Sequence, residues 1–165
     1  MKISDIIGPE DIRQGVSFSS KKRLFESIAH FVMSHVHCDR GEHACFECLF
    51  NREKLGNSGL GNGVAMPKGK LPAGSSEKAL AVFMQLDSPI DYDAPDGKPV
   101  DLVFAILVPE NQCTAYIPLL SDLTEKLTDK NLLKQLRAAQ SAEEILQIFA
   151  MAEKSDEESA EEATT

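Results

Sequence analysis

The residues of this 165-residue chain best suited to chemistry are a run of glycines beside lysines. In Asn57-Ser58-Gly59-Leu60-Gly61-Asn62-Gly63-Val64-Ala65-Met66-Pro67-Lys68-Gly69-Lys70, four of the ten glycines fall between Gly59 and Gly69. Glycine at that density lets the backbone take positive φ and turn its amides inward. A concave row of amides next to cations suits an anion. Two nucleotide-binding patterns fail on spacing. A P-loop needs Lys-Ser/Thr after its last glycine, but Gly69-Lys70 is followed by Leu71-Pro72. A dinucleotide fingerprint needs G-x-G-x-x-G, but Gly59, Gly61 and Gly63 alternate. A purely structural glycine loop is the plain alternative.

A second group is His35, His37, Cys38, His43, Cys45 and Cys48, six residues of the types that ligate zinc. The spacing argues against a metal. Cys45 and Cys48 fall inside a helix expected from about Gly41 to Lys54, on one face beside Leu49, as small buried cysteines do. Zinc-ribbon and redox Cys-x-x-Cys pairs belong to turns or βαβ units, and Cys113 has no companion. A thiol- or metal-based sensor is the weakest functional class, and no metal or cofactor is expected. The aspartates of Asp87–Asp96 lack the glycine and closing glutamate of a calcium loop.

These residues need elements to hold them. Ser19-Ser20 caps a helix in which Leu24, Phe25, Ile28, Phe31, Val32 and Val36 recur at helical spacing. After the glycine loop, Lys78 to Leu86 reads as a strand, and Asp96-Gly97 as a turn. Val100 to Val108 is almost wholly apolar, as a strand buried on both faces must be. Ile117, Leu120, Leu123 and Leu127 form a helical stripe, and Leu132, Leu133 and Leu136 a second. Ser141-Ala142-Glu143-Glu144 is a capping box opening a third helix. Residues 3–18 read only as a short irregular lead-in. The order predicts an α/β domain with helices covering a small mixed sheet.

The stretch from Arg52-Glu53-Lys54-Leu55-Gly56 through Leu71 resembles the active-site segment of the nitrogen-type enzyme IIA proteins of the bacterial phosphotransferase system. Those belong to the mannitol/fructose IIA superfamily. The resemblance continues through Phe83–Ile90, Pro99–Pro109 and Leu136–Ser141, and covers roughly residues 1–152. It implies a three-layer α/β/α sandwich of the mannitol IIA type. It also implies a phosphoryl carrier whose acceptor histidine lies between a proline and a glycine, where this chain has Lys68. An imidazole that is neutral near pH 7 forms a labile phosphoramidate, whereas an unperturbed lysine, with a pKa of about 10.4, has no free lone pair. Nothing in a glycine-rich surface loop foretells the burial that would lower it.

Arg52 resembles the family's phosphate-stabilising arginine, and Tyr116 stands where a second histidine is often found. The site expected from the resemblance is Lys68, Arg52 and Tyr116, with Gly59, Gly61, Asn62, Gly63, Pro67 and Gly69 as a binding loop. Lys68 is positive and does not mimic a phosphorylated residue. The expected function is therefore a IIA-like regulator, held in the unphosphorylated form, that acts by binding proteins. The alternative is an active carrier, with position 68 altered by engineering or with another acceptor. In the family, partners are the histidine phosphocarrier protein and targets such as potassium transport components or sensor kinases.

Composition fits one globular domain, with 42% hydrophobic and 26% charged residues. There is no long apolar stretch and no signal-peptide pattern in Met1-Lys2-Ile3-Ser4-Asp5, so no membrane insertion and a cytoplasmic location are expected. More than half of the net charge of −9 falls in residues 153–165, with six acids against Lys154. Such a balance suits no phosphate backbone, so nucleic acid is not expected as a partner. Residues 153–165, poor in apolar side chains, read as a disordered acidic tail after a domain of residues 1–152.

Overall fold

A computed structural model describes residues 1–34, 36 and 41–164. His35, His37 and Cys38 of the metal reading lie outside the described residues. The chain forms strand β1 (Ile12–Val16), helices α1 (Lys21–Met33) and α2 (Gly41–Leu55), and short strands β2 (Gly59–Gly61), β3 (Val64–Ala65) and β4 (Lys68–Leu71). Strands β5 (Leu80–Ile90) and β6 (Val100–Pro109) and helices α3 (Cys113–Lys126), α4 (Lys130–Ala138) and α5 (Ala142–Thr164) follow.

The six strands make one mixed sheet in the order β1-β5-β6-β3-β2, with β4 also paired to β6. Strand β6 is its axis. It runs antiparallel to β5, with Phe83 opposite Phe104, and parallel to β3 and β4, with Val64 opposite Leu102 and Lys68 opposite Ile106. Thus β3 and β4 lie end to end along one flank of β6, interrupted at Met66-Pro67. The Pro67 carbonyl still accepts the Ile106 N–H at 3.0 Å. On its other side β4 pairs with no strand among the described residues.

The alternation of β6 sorts the core into two layers, because successive side chains of a strand point to opposite faces. Leu102, Phe104, Ile106 and Val108 pack towards α3, α4 and α5, whereas Val103, Ala105 and Leu107 pack towards α1 and α2. The three-layer α/β/α sandwich expected from the sequence is therefore present. Ser20 caps α1, its Oγ accepting the Arg23 N–H at 3.1 Å. Asp129 caps α4 in the same way at Asn131.

Two elements differ from expectation. The lead-in at residues 3–18 contains β1, which pairs parallel with β5 through a register irregularity between Gln14 and Val16. Gly15 sits there at φ 67°. Five residues with a glycine inside carry too little alternation to announce a strand. The acidic stretch from residue 153, expected to be disordered, continues α5 to Thr164. Glu153 is 7% exposed, Asp156 pairs with the buried Lys126, and Glu157 pairs with Lys2. Extending an existing helix avoids the nucleation cost, and these acids find their cations only in the folded chain. No helix among the described residues is long and apolar enough to cross a membrane.

Candidate functional site

Lys68 stands on an edge strand, in the wall of a groove of about 580 Å³. Strand β4 forms the floor, with Lys68, Gly69 and Lys70. Helix α2 supplies one side through Cys48, Asn51, Arg52 and Leu55. Helix α3 supplies the other through Cys113, Thr114, Ile117 and Leu120, and Ile106 and Val108 of β6 close the back. On both helices the spacing is that of one face. Leu55 and Ile117, 86% and 60% exposed, stand on opposite sides of the groove. Lysines on an edge strand also discourage pairing with another chain, which is the plain structural use of this pair.

Gly69 sets how near α2 comes. A Cβ at that position would lie 3.2 Å from Leu49 Cδ2 and 3.4 Å from Leu107 Cδ2. With no side chain there, Leu49 packs down on β4, and Arg52, three residues further along α2, is carried to the groove. Cys48, one residue before Leu49, ties the two elements: its Sγ accepts the Lys70 N–H at 3.3 Å and lies 3.4 Å from the Lys70 carbonyl. The end of α2 is fixed by Glu53, whose Oε1 accepts the Ser58 N–H at 2.9 Å and pairs with Lys21 at 2.8 Å. Ser58 Oγ and Tyr92 Oη are 2.6 Å apart. This Lys21–Glu53–Ser58–Tyr92 network escaped sequence reasoning, since its members are scattered over two helices and two loops.

The electrostatics of the groove are cationic. Arg52 makes only a long contact from Nη1 to the Gly56 carbonyl, 3.4 Å, and pairs with no carboxylate among the described residues. Lys68 is half-buried. Burial first, and then the Arg52 guanidinium, pull the Lys68 ammonium below its ordinary pKa, against a smaller opposing pull from Glu53. The sequence reading of an exposed, unperturbed lysine is corrected here. What looked like a surface loop is a strand flanked by two helices.

The glycine loop is corrected too. Gly59 to Ala65 form a β-hairpin whose turn places Asn62 at φ 57° and Gly63 at φ 82°, the Asn-Gly geometry that suits the twist of paired strands. Its amides are largely taken by the protein. Gly59 N–H donates to Asn57 Oδ1 at 2.8 Å, and Asn62 N–H to Asp96 Oδ2 at 3.0 Å. Arg137 braces the turn, donating from Nε to Asp101 Oδ2 at 3.0 Å and from Nη2 to the Asn62 carbonyl. Gly59, Gly61, Asn62 and Gly63 do not line the groove, and Pro67 is buried beside it. Of the expected binding loop, only Gly69 joins Lys68 and Arg52.

Tyr116 is not brought to them either. It is 2% exposed, on the inner face of α3, and its Oη accepts the Ala79 N–H at 2.8 Å. The groove is met instead by Cys113, Thr114, Ile117 and Leu120, on the adjoining face of the helix. Of the histidines, His30 and His43 lie on α1 and α2, paired with Glu42 and Glu47, and neither lines the groove. Cys45 is buried in the core beside Leu49, while Cys48 faces the groove.

Comparison with known proteins places this geometry. Residues 5–152 match the family described as phosphoenolpyruvate-dependent sugar phosphotransferase system, EIIA 2. The chain is 70% identical over 156 residues to a nitrogen regulatory protein homolog of Haemophilus influenzae, covering 94% of this chain and 95% of that one. It is 40% identical over 149 residues to the nitrogen regulatory protein of Escherichia coli, covering 90% of each. Among solved structures, nitrogen regulatory protein IIA-Ntr from Neisseria meningitidis superposes with a TM-score of 0.82 at 39% identity, over 89% of this chain and 98% of that one. IIA mannitol from Escherichia coli has a TM-score of 0.68 at 22% identity, over 87% of this chain and 98% of that one, a likeness of fold.

Proposed function

This chain belongs to the EIIA 2 family of the phosphoenolpyruvate-dependent sugar phosphotransferase system, and we propose that it is a nitrogen-type IIA regulator that binds proteins and accepts no phosphoryl group. The observation that carries the reading is the chemistry of the groove. Lys68 occupies the position between Pro67 and Gly69 where the family resemblance puts the acceptor histidine, and no histidine lines the groove among the described residues. Phosphoryl transfer to nitrogen needs a lone pair in line with the donor. A lysine amine offers one far less often near neutral pH than the imidazole it replaces.

The partner surface is the groove and its rims. Arg52, Lys68 and Lys70 give it positive charge, and Leu55 and Ile117 give it exposed apolar area. A histidine phosphocarrier protein is the first candidate to dock there, and regulatory targets such as potassium transport components or sensor kinases are the effectors. In this reading the protein stays in one charge state, so its binding follows its concentration. A second reading is a carrier in which Lys68 itself takes the phosphoryl group, and its lowered proton affinity favours that.

One experiment separates them. The protein and a Lys68→His variant are incubated with phosphoenolpyruvate, enzyme I and the phosphocarrier, then weighed intact under alkaline conditions that preserve phosphoramidates. A regulator gains no mass as the natural chain, and the variant gains one phosphoryl group. A gain on the unaltered protein overturns the proposal.

A further inference from the structure

The groove offers a nucleophile as well as a charge. Lys2, Lys21 and Lys126 are each tied to a carboxylate. Lys68 Nζ has no such hydrogen bond or ion pair among the described residues. It sits half-buried on the floor of the groove, with Lys70 on the same strand, Arg52 on the α2 side and Ile117 and Leu120 on the α3 side. Desolvation beside a second cation weakens a lysine's hold on its proton, so a larger share of the amine is free to react than on an exposed lysine. The nearest carboxylate acting on it, Glu53, is already engaged by Lys21 and the Ser58 amide.

Two halves of the groove differ in chemistry. Ile117 and Leu120 on the α3 side, with Ile106 and Val108 at the back, are aliphatic, and the α2 side carries a guanidinium able to hold two oxygens of a phosphate at once. A molecule with a short apolar acyl chain joined to a phosphate matches both halves, and its reactive carbon falls between them, where the amine is.

We propose that Lys68 Nζ is a site of acylation by small acyl phosphates, with the aliphatic wall receiving the acyl chain and Arg52 the phosphate. The amine lone pair forms a bond to the acyl carbon. The bond from that carbon to the phosphate oxygen breaks, and phosphate leaves with the electron pair. The amine proton passes to solvent or to the leaving phosphate. The products are an amide and inorganic phosphate, with no oxidant or reductant. The modified side chain is neutral, so the groove loses one of its cations and its attraction for acidic partners falls. This step goes beyond the regulator reading and does not rest on it.

The test uses the full chain and acetyl phosphate at pH 7, with site occupancies followed by peptide mass spectrometry. The exposed Lys22 and Lys134 serve as internal references. Lys68 is expected to acetylate several-fold faster than either. Arg52→Gln should remove the preference and leave Lys22 and Lys134 unchanged, with an unaltered thermal unfolding midpoint showing that the variant is folded. Acetyl coenzyme A at equal concentration should show no such preference. Hydroxylamine should leave the label in place, since Cys48 and Cys113 in the same groove would carry it as a thioester.

Equal rates at Lys68 and the references would overturn the proposal. So would full preference in Arg52→Gln, equal selectivity with the coenzyme thioester, loss of label to hydroxylamine, or phosphate in place of acetyl on Lys68. No phosphocarrier is present in this assay. A protein that accepted phosphoryl groups from one would refute the regulator reading and leave this result standing.

Discussion

Gly69 on β4 and Leu49 on α2 are in contact so close that a Cβ on the glycine would stand 3.2 Å from Leu49 Cδ2. That contact seats α2 against the edge of the sheet. Everything chemical about the groove depends on it, because Cys48, Arg52 and Leu55 ride on the same helix and Lys68 and Lys70 on the same strand. The backbone hydrogen bond from Lys70 to Cys48 fixes the pairing along the strand direction.

Gly69→Val should therefore cost about 1–3 kcal/mol by overpacking. Leu49→Ala alone should cost about 2–5 kcal/mol through the cavity it leaves. Combined, the two should cost clearly less than the sum, since the shortened side chain makes room for the added one. Urea denaturation of the four proteins measures this. Strict additivity would mean that the two residues do not set the approach of α2.

The hairpin at Gly59–Ala65 should behave as scaffold. At Gly63, φ is 82°, and a Cβ would lie 2.6 Å from Arg137 Nη2 and 2.9 Å from Asp101 Oδ1. Gly63→Ala should cost about 1–3 kcal/mol through backbone strain and a disturbed Arg137–Asp101 pair. Reactivity of Lys68 towards acyl phosphates should stay as it was. A fall in that reactivity with the fold intact would place the hairpin in the site after all.

Glu153 should be a source of instability at neutral pH. Burial raises its pKa above the ordinary value, and the Ile3 and Ser4 amides, with Lys126 and Lys2, only partly oppose that. Both carboxylate oxygens are buried, and the Ser4 and Ile3 amides that face them fall short of full hydrogen-bond geometry, with no other partner among the described residues. A carboxyl whose pKa is higher folded than unfolded binds its proton more tightly in the native state. Its contribution therefore improves as pH falls from the folded pKa towards the unfolded one, and worsens as pH rises. Glu153→Gln should raise the unfolding midpoint at pH 7, and the gain should fade below the usual carboxylate pKa of about 4.3. Denaturation at pH 7 and pH 4 decides it, and a variant less stable at pH 7 would show that the charge is favourable where it sits.

Much of the molecule was legible in one dimension. Val100–Val108, apolar but for Asp101, could be nothing but a buried strand, and the stripes at Leu123 and Leu127 and at Leu132, Leu133 and Leu136 could only be helix faces. Those signals are local, since a strand or helix buries residues at its own period whatever it packs against. The ordered matches from Arg52 to Ser141 carried the family, and the fold came with it.

What the tertiary structure decided was the state of each side chain, and that depends on partners far away in sequence. Lys68 lies on a strand between two helices, and its proton affinity is set by Arg52 and by burial that no local pattern encodes. The amides of Gly59 and Asn62 were spent on Asn57 and Asp96, so a glycine-rich run became a hairpin turn in place of an anion cradle. Tyr116 turned inward to the Ala79 amide, because on α3 only residues such as Cys113, Ile117 and Leu120 share the face that meets β4. The acidic end of the chain joined a helix once Lys126 and Lys2 were within reach of Asp156 and Glu157. Residue types and periodicity belong to the sequence, whereas charge, burial and company belong to the fold.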